Sequence, residues 1–487
     1  TDGSNSSATS SVITLSDEAK PVIVSAVTGD NNSDGTVDRL TLTFSESVVI
    51  TDGGSDNDIT LAASTGSASI TAGSYGATAS TLVYTISGAT AGNTSLTIDP
   101  TYAVSGAGDI TDPSNNEMSN GETVSGSDGA APVLLSATYK DTNGNGTVNR
   151  IDAVYSEDIT SSTFESGDWT FPANPASLSV GSGAFSGSTV QITVTGAPAN
   201  TTVLGTTTVK YTNQGTSNSI TDGSNSSATS SVITLSDETV PVLLSATYKD
   251  TNGDGTVNRI DAVYSEDITS STFESGDWTF PANPASLSVG SGAFSGSTVQ
   301  ITVTGAPANT TVLGTTTVKY TNQGTSNSIT DGSNSSATSS VITLSDEAKP
   351  VIVSAVTGDN NSDGTVDRLT LTFSESVVIT DGGSDNDITL AASTGSASIT
   401  AGSYGATAST LVYTISGATA GNTSLTIDPT YAVSGAGDIT DPSNNEMSNG
   451  ETVSGSDGAA PVLLSASYKD INPCLLYTSP SPRDSLS

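Results

Sequence analysis

The sequence predicts an all-β protein, a tandem array of antiparallel β-sandwich domains. Three observations carry this expectation. The chain of 487 residues repeats itself at intervals of about 110 residues, the size of one domain. Within a repeat, apolar and polar residues alternate with a period of two. Clusters of Gly, Asn, Asp and Pro separate the alternating runs at short intervals, which sets about seven short strands per repeat. No stretch sustains a 3.6-residue apolar period, and the polar face of each strand suits sheets wetted on one side.

Opening prolines mark the repeats: Pro21, Pro132, Pro241, Pro350 and Pro461, spaced 111, 109, 109 and 111 residues apart. Residues 1–20 read as the end of a truncated repeat, and 461–473 as the start of another. Between them stand type A (21–131), type B (132–240), type B (241–349) and type A (350–460). Residues 1–137 and 330–466 are identical, and 132–238 differ from 241–347 only at Asn145 against Asp254. Such near-identity suggests recent duplication, or a short-read assembly that folded a longer array onto itself. From Cys474 the sequence CLLYTSPSPRDS resembles an in-frame translation of a sequencing-library adapter. Residues 474–487 are therefore expected to be an artefact at the end of an environmental fragment.

Composition narrows the function. A net charge of −38, with 50 acidic against 12 basic residues, disfavours nucleic acid and anionic membrane as partners. The absence of histidine removes Ser-His-Asp and Cys-His nucleophile pairs and every His-ligated metal site. The single cysteine cannot form an internal disulfide. No apolar run approaches the 18 or so residues of a membrane span.

The elements follow the alternation. In type A, Leu40, Leu42 and Phe44 are expected to face inward against Arg39, Thr41 and Thr43 outward, with Leu82, Tyr84 and Ile86 alternating likewise. In type B, Ile151, Ala153 and Tyr155 take the first places, Val190, Ile192 and Val194 mark a later strand, and Val209 and Tyr211 another. Lys140 lies on the polar face of its strand and is expected to be solvated. Trp169 is expected in the core or at a sheet edge rather than as a sugar platform.

Between the first two strands of every unit lies a D-x-N-x-D-G loop with the spacing of a twelve-residue calcium loop. Position 1 is Asp30, Asp141, Asp250 or Asp359, and position 3 is Asn32, Asn143, Asn252 or Asn361. Position 5 is Asp34, Asn145, Asp254 or Asp363. Gly at position 6 permits a sharp turn, and Thr36, Thr147, Thr256 or Thr365 at position 7 can offer a carbonyl. Type A adds Asp38 and Asp367 at position 9; type B adds Asp152 and Asp261 at position 12, where type A has Thr41 and Thr370. These hard oxygens suit Ca2+. Without flanking helices the loop is no EF-hand, and a polar hairpin turn would use the same residues.

Topology extends the idea. The second strand returns Glu46 or Glu157 to the opening pole, about 25 Å from the loop. An odd strand number would release the chain at the loop's pole, into a linker carrying Asp17-Glu18, Asp128 or Asp237-Glu238. Each junction would then gather the preceding loop, the linker Asp and the following Ser-Glu. Calcium there would neutralise the carboxylates and stiffen the array.

The repeat resembles the bacterial Ig-like domains of the S-layer-protein (SbsA-like) type found in large surface proteins and adhesins. The matching residues are the opening Pro-Val-x-x-Ser-Ala, Thr-Phe-Ser-Glu at 43–46 (Val-Tyr-Ser-Glu at 154–157), and Ile-Thr-Asp-x-Ser-Asn at 110–115 and 220–225, with the closing Ser-Asp-x-x-x-Pro linker. The resemblance covers all four complete repeats. It implies Ig-like sandwiches in an extracellular, cell-surface array used as stalk, spacer or adhesive tract, with neighbouring repeats as partners and no catalytic residues. Two other functions compete: modules that grip carbohydrate or a host protein through aromatics such as Tyr75, Trp169 and Phe171, or an accessory region of a secreted hydrolase.

Overall fold

The computed structural model describes residues 11–50, 59–63, 68–74, 78–89, 98–103, 110–160, 162–195, 204–215, 220–269, 272–304, 313–324, 329–379, 387–392, 397–403, 407–417, 427–432 and 439–469. Tyr75 and the tail from Cys474 lie outside them. Among the described residues the chain is all-β, and its only helical pieces are three-residue 3-10 turns. It divides into two compact units. One holds Thr1–Val242 with Tyr264–Ser270 and Ile329–Ala337; the other holds Leu243–Val263, Ser271–Ser328 and Thr338–Ser487.

In the first unit the type A repeat runs β1 (Ile23–Gly29), β2 (Arg39–Ile50), β3 (Ile59–Ala63), β4 (Ser69–Ser74), β5 (Ala79–Ser87), β6 (Ile98–Tyr102), β7 (Ile110–Thr111) and β8 (Gly126–Ser127). One sheet has the order β4-β5-β2-β1-β8, with β7 paired to the end of β2; β3 and β6 form a second layer. Leu40, Leu42 and Phe44 from β2 and Leu82, Tyr84 and Ile86 from β5 are buried, as the period of two requires. They share one core with Ile59, Tyr102 and Ile110.

The type B repeat follows as β9 (Leu134–Lys140), β10 (Arg150–Tyr155), β11 (Trp169–Thr170), β12 (Ser179–Ser186), β13 (Thr189–Thr195), β14 (Thr208–Tyr211), β15 (Ile233–Thr234) and β16 (Ser236–Asp237). A five-stranded sheet, β12-β13-β10-β9-β16, faces a three-stranded one, β11-β14-β15. Trp169 is buried in the core between them, with its ring 5.4 Å from that of Tyr211, and Phe171 packs at the margin. Lys140 is not freely solvated. Its Nζ pairs with Asp152 at 2.9 Å and Glu238 at 2.7 Å.

One feature departs from a purely antiparallel sheet. The closing strand runs parallel to the opening one: Ala26↔Gly126 and Val27↔Ser127 in type A, Thr138↔Ser236 and Tyr139↔Asp237 in type B. Each of these repeats has eight strands among the described residues, so strict alternation would return the chain to its opening pole. The parallel last strand instead releases it at the pole of the D-x-N-x-D-G loop.

The second unit repeats both patterns. Leu243–Lys249 pairs in parallel with Ser345–Asp346, and Ile352–Gly358 with Gly455–Ser456. Its type A sheet places Leu369, Leu371 and Phe373 in a core with Leu411, Tyr413 and Ile415.

Candidate metal centre

Among the described residues, four groups of three carboxylates lie with one oxygen from each within 4.8 Å of the others: Asp17, Glu46 and Asp112; Asp128, Glu157 and Asp222; Asp237, Glu266 and Asp331; Asp346, Glu375 and Asp441. The first three belong to the first unit and the fourth to the second. Every group has the same origin. One Asp comes from the linker before the opening proline, the Glu from the Ser-Glu within the second strand in type A or just after it in type B, and the other Asp from the Ile-Thr-Asp turn.

Local chemistry places each member. The Ser of Ser-Glu is tied reciprocally to the Val after the opening proline. Ser156 N–H donates to the Val133 carbonyl at 2.9 Å, and Val133 N–H donates to Ser156 Oγ at 3.0 Å. The same pair of bonds joins Ser265 with Val242 and Ser374 with Val351. This stitch turns the neighbouring Glu toward the linker, and Glu157, Glu266 and Glu375 are buried there. The Ile-Thr-Asp turn is pinned from beneath by a core tyrosine: Ile110 N–H donates to Tyr102 Oη at 3.3 Å and Ile220 N–H to Tyr211 Oη at 3.1 Å.

An asparagine then joins turn to linker. Asn116 Nδ2 donates to Asp112 Oδ2 at 2.7 Å and to the Asp17 carbonyl at 3.1 Å. Asn225 does the same for Asp222 and the Asp128 carbonyl, and Asn445 for Asp441 and the Asp346 carbonyl. The preceding repeat contributes from the end of its first strand. Thr28 Oγ1 donates to Asp128 Oδ1 at 3.5 Å, and the Tyr139 hydroxyl hydrogen-bonds Asp237.

The electrostatics match three crowded anions. Burial, and then the charge of Asp222, push Asp128 up to about 6, although the Ala130 N–H pulls the other way. Asp346 is pushed up to about 6 by burial, with Asp441 adding to the rise. Glu46 is raised by burial and by Asp17 and Asp112. For Asp112 burial acts upward, but the bonds from the Asn116 side chain and from the Asn116 and Ser114 N–H groups outweigh it and hold the group below its usual range. Tyr139 and Tyr248 are pushed well above the usual phenol range, by burial first and then by Asp237 and Asp346.

The residues read from sequence as loop ligands lie elsewhere. Asp30 accepts the N–H groups of Asn32, Ser33 and Gly35, at 3.2, 2.7 and 2.7 Å. Asp141 and Asp250 accept the equivalent three, and Asp359 those of Asp363 and Gly364. Asn32, Asn143 and Asn361 each accept the N–H of position 5. Asn252 instead donates to Asp254 and accepts from Asn258. Asp34, Asn145, Asp254 and Asp363 accept the N–H of Thr36, Thr147, Thr256 and Thr365. Asp38 and Asp367 cap the N–H of Asn31 and Asn360. Asp152 sits in its strand between Lys140 Nζ and Arg150 Nε, the latter at 2.7 Å; Asp261 sits likewise between Lys249 and Arg259. Gly35, Gly146, Gly255 and Gly364 hold φ near +85°, the sharp turn their position requires.

Among the described residues, none of the loop carboxylates belongs to a three-carboxylate group. The loop packs beside one instead. A Cβ on Gly35 would stand 2.9 Å from Ser156 Cβ, and one on Gly255 3.1 Å from Ser374 Cβ. The structure thus brings together the linker Asp and the following Ser-Glu, with the loop alongside. The sequence reading did not place the third carboxylate in these groups, although its motif was legible: Ile-Thr-Asp recurs at 110–112, 220–222, 329–331 and 439–441.

No protein-family model matches the chain, and no curated protein matches it.

Proposed function

We propose that the chain is the structural repeat region of an extracellular bacterial surface or adhesin-like protein, with a calcium ion held at each three-carboxylate group. The supporting observation is that all four groups tie a linker Asp to two acidic residues of the repeat that follows. Three convergent carboxylates offer only hard oxygens, which suit calcium, and its charge offsets their mutual repulsion. Extracellular modules bind calcium weakly, at 10⁻⁴–10⁻³ M, which fits so open a donor set. With the ion bound, each linker is fastened to the repeat after it, and the chain serves as stalk or spacer with no catalysis of its own.

Calorimetry of the full chain with calcium tests this. Four ions should bind, Glu157→Gln should remove one, and Asp141→Asn in the loop should remove none. Chelator should also expose the linkers to protease. A count that follows the loop variant moves the ion to the D-x-N-x-D-G turn, and no binding overturns the calcium reading.

A further inference from the structure

We propose that the pairing of each repeat's opening strand with its own closing strand is a shear clamp, which gives the chain a further function as a tension-bearing element. Its use in a cell rests on the array reading above; the mechanical property itself requires no bound ion.

The geometry is the same in all four complete repeats. The two strands through which the chain enters and leaves a repeat are direct neighbours and run parallel: β1 with β8, β9 with β16, Leu243–Lys249 with Ser345–Asp346, and Ile352–Gly358 with Gly455–Ser456. Tension on the chain pulls the opening strand toward its N-terminal end and the closing strand toward its C-terminal end. For parallel neighbours those pulls are opposed and lie along the strand axes, across the hydrogen bonds. All bonds of the pair then carry load together. A pair whose loaded ends lay at one pole would unzip bond by bond. The opening strand cannot leave first, because it is also paired antiparallel with the second strand over six register positions from Ile23↔Phe44 to Gly29↔Arg39. The closing strand is the part that yields.

Side chains lengthen this short pair. In type A, Ser127 Oγ donates to the Ala26 carbonyl at 3.2 Å and Thr28 Oγ1 to the Ser127 carbonyl at 3.3 Å, and Ser456 and Thr357 do the same. Gly129 then lies so close to the opening strand that a Cβ would meet Val27 Cγ1 at 2.4 Å and the Thr28 carbonyl at 2.6 Å; Gly458 repeats the approach. Type B carries the pairing further. Glu238 N–H donates to the Tyr139 carbonyl at 3.3 Å, and its carboxylate pairs with Lys140 at 2.7 Å. Glu347 makes both contacts with Tyr248 and Lys249.

The test holds the full chain by its two ends at constant force, with chelator and with calcium. Four unfolding steps of about 35 nm each are expected, from roughly 105 residues released per step. Glu238→Pro with Glu347→Pro removes one backbone donor and one ion pair from each type B clamp. Two of the four steps should then shorten in lifetime by about 5- to 30-fold. Gly129→Ala with Gly458→Ala should do the same to the other two. Unfolding in denaturant without tension should accelerate by a much smaller factor, because the closing strand is not the loaded element there. Equal acceleration with and without tension would reduce the pairing to an ordinary stabilising contact and overturn the proposal, as would lifetimes unchanged by the variants. The chelator arm keeps the two readings apart: a clamp effect that persists in chelator stands even where calorimetry finds no calcium.

Discussion

Asp128 shows how a single carboxyl can be made to work against its own fold. Its folded-state value is raised to about 6 from 3.8, so the folded chain holds this proton more tightly than the unfolded chain does. Stability contributed by the protonated group is full below about 4 and is lost as pH rises toward 6; Asp346 adds the same trend. Asp34, Asp112, Asp254 and Asp363 act in the opposite sense. Their values are lowered, so their contribution is present above 3.8 and disappears only in stronger acid. The metal-free chain should therefore lose thermal stability between pH 4 and pH 6, as scanning calorimetry in chelator would show. Calcium should flatten that slope, because it takes the place of the proton. A melting temperature that climbs through this window would mean that Asp128 and Asp346 ionise freely in the fold.

At the scale of elements, the second strand of each type B repeat carries a buried carboxylate opposite its apolar face. In β10, Ile151, Ala153 and Tyr155 face the core, while buried Asp152 is held on the other side by Lys140 and Arg150. Asp152→Ala leaves two cations without their shared acceptor and should cost about 2 kcal/mol in denaturant titration. The strands were legible in the sequence because a period of two reports burial directly: Leu40 to Phe44, Leu82 to Ile86 and Val190 to Val194 all lie where the alternation puts them. The parallel closing strand was not legible. Gly126–Ser127 and Ser236–Asp237 are two residues long, too short for any period to show. The acidic groups were half legible. An assumed odd strand number put the linker Asp and Ser-Glu at one pole, but among eight strands it is the parallel last one that brings them there, and Asp112 and Asp222 arrive through a turn whose position depends on Tyr102 and Tyr211 in the second layer. That dependence crosses the sandwich, and local pattern does not report it.

Over the whole molecule, near-identity has a cost in time. The closing strands Ser236–Asp237 and Ser345–Asp346 stand in identical sequence, and so do the opening strands Leu134–Lys140 and Leu243–Lys249 that receive them. About a hundred residues separate each opening strand from its mate, so at 5–20 residues per second the ribosome leaves it waiting for about 5–20 s. A twin from the next repeat, or from another copy of the chain, fits the vacant edge equally well. Refolding from denaturant at high concentration should consequently give exchanged dimers with native circular dichroism, visible by size exclusion and absent after refolding at high dilution. Synthesis from one end supplies the discrimination that the sequence lacks: the nearest mate arrives first.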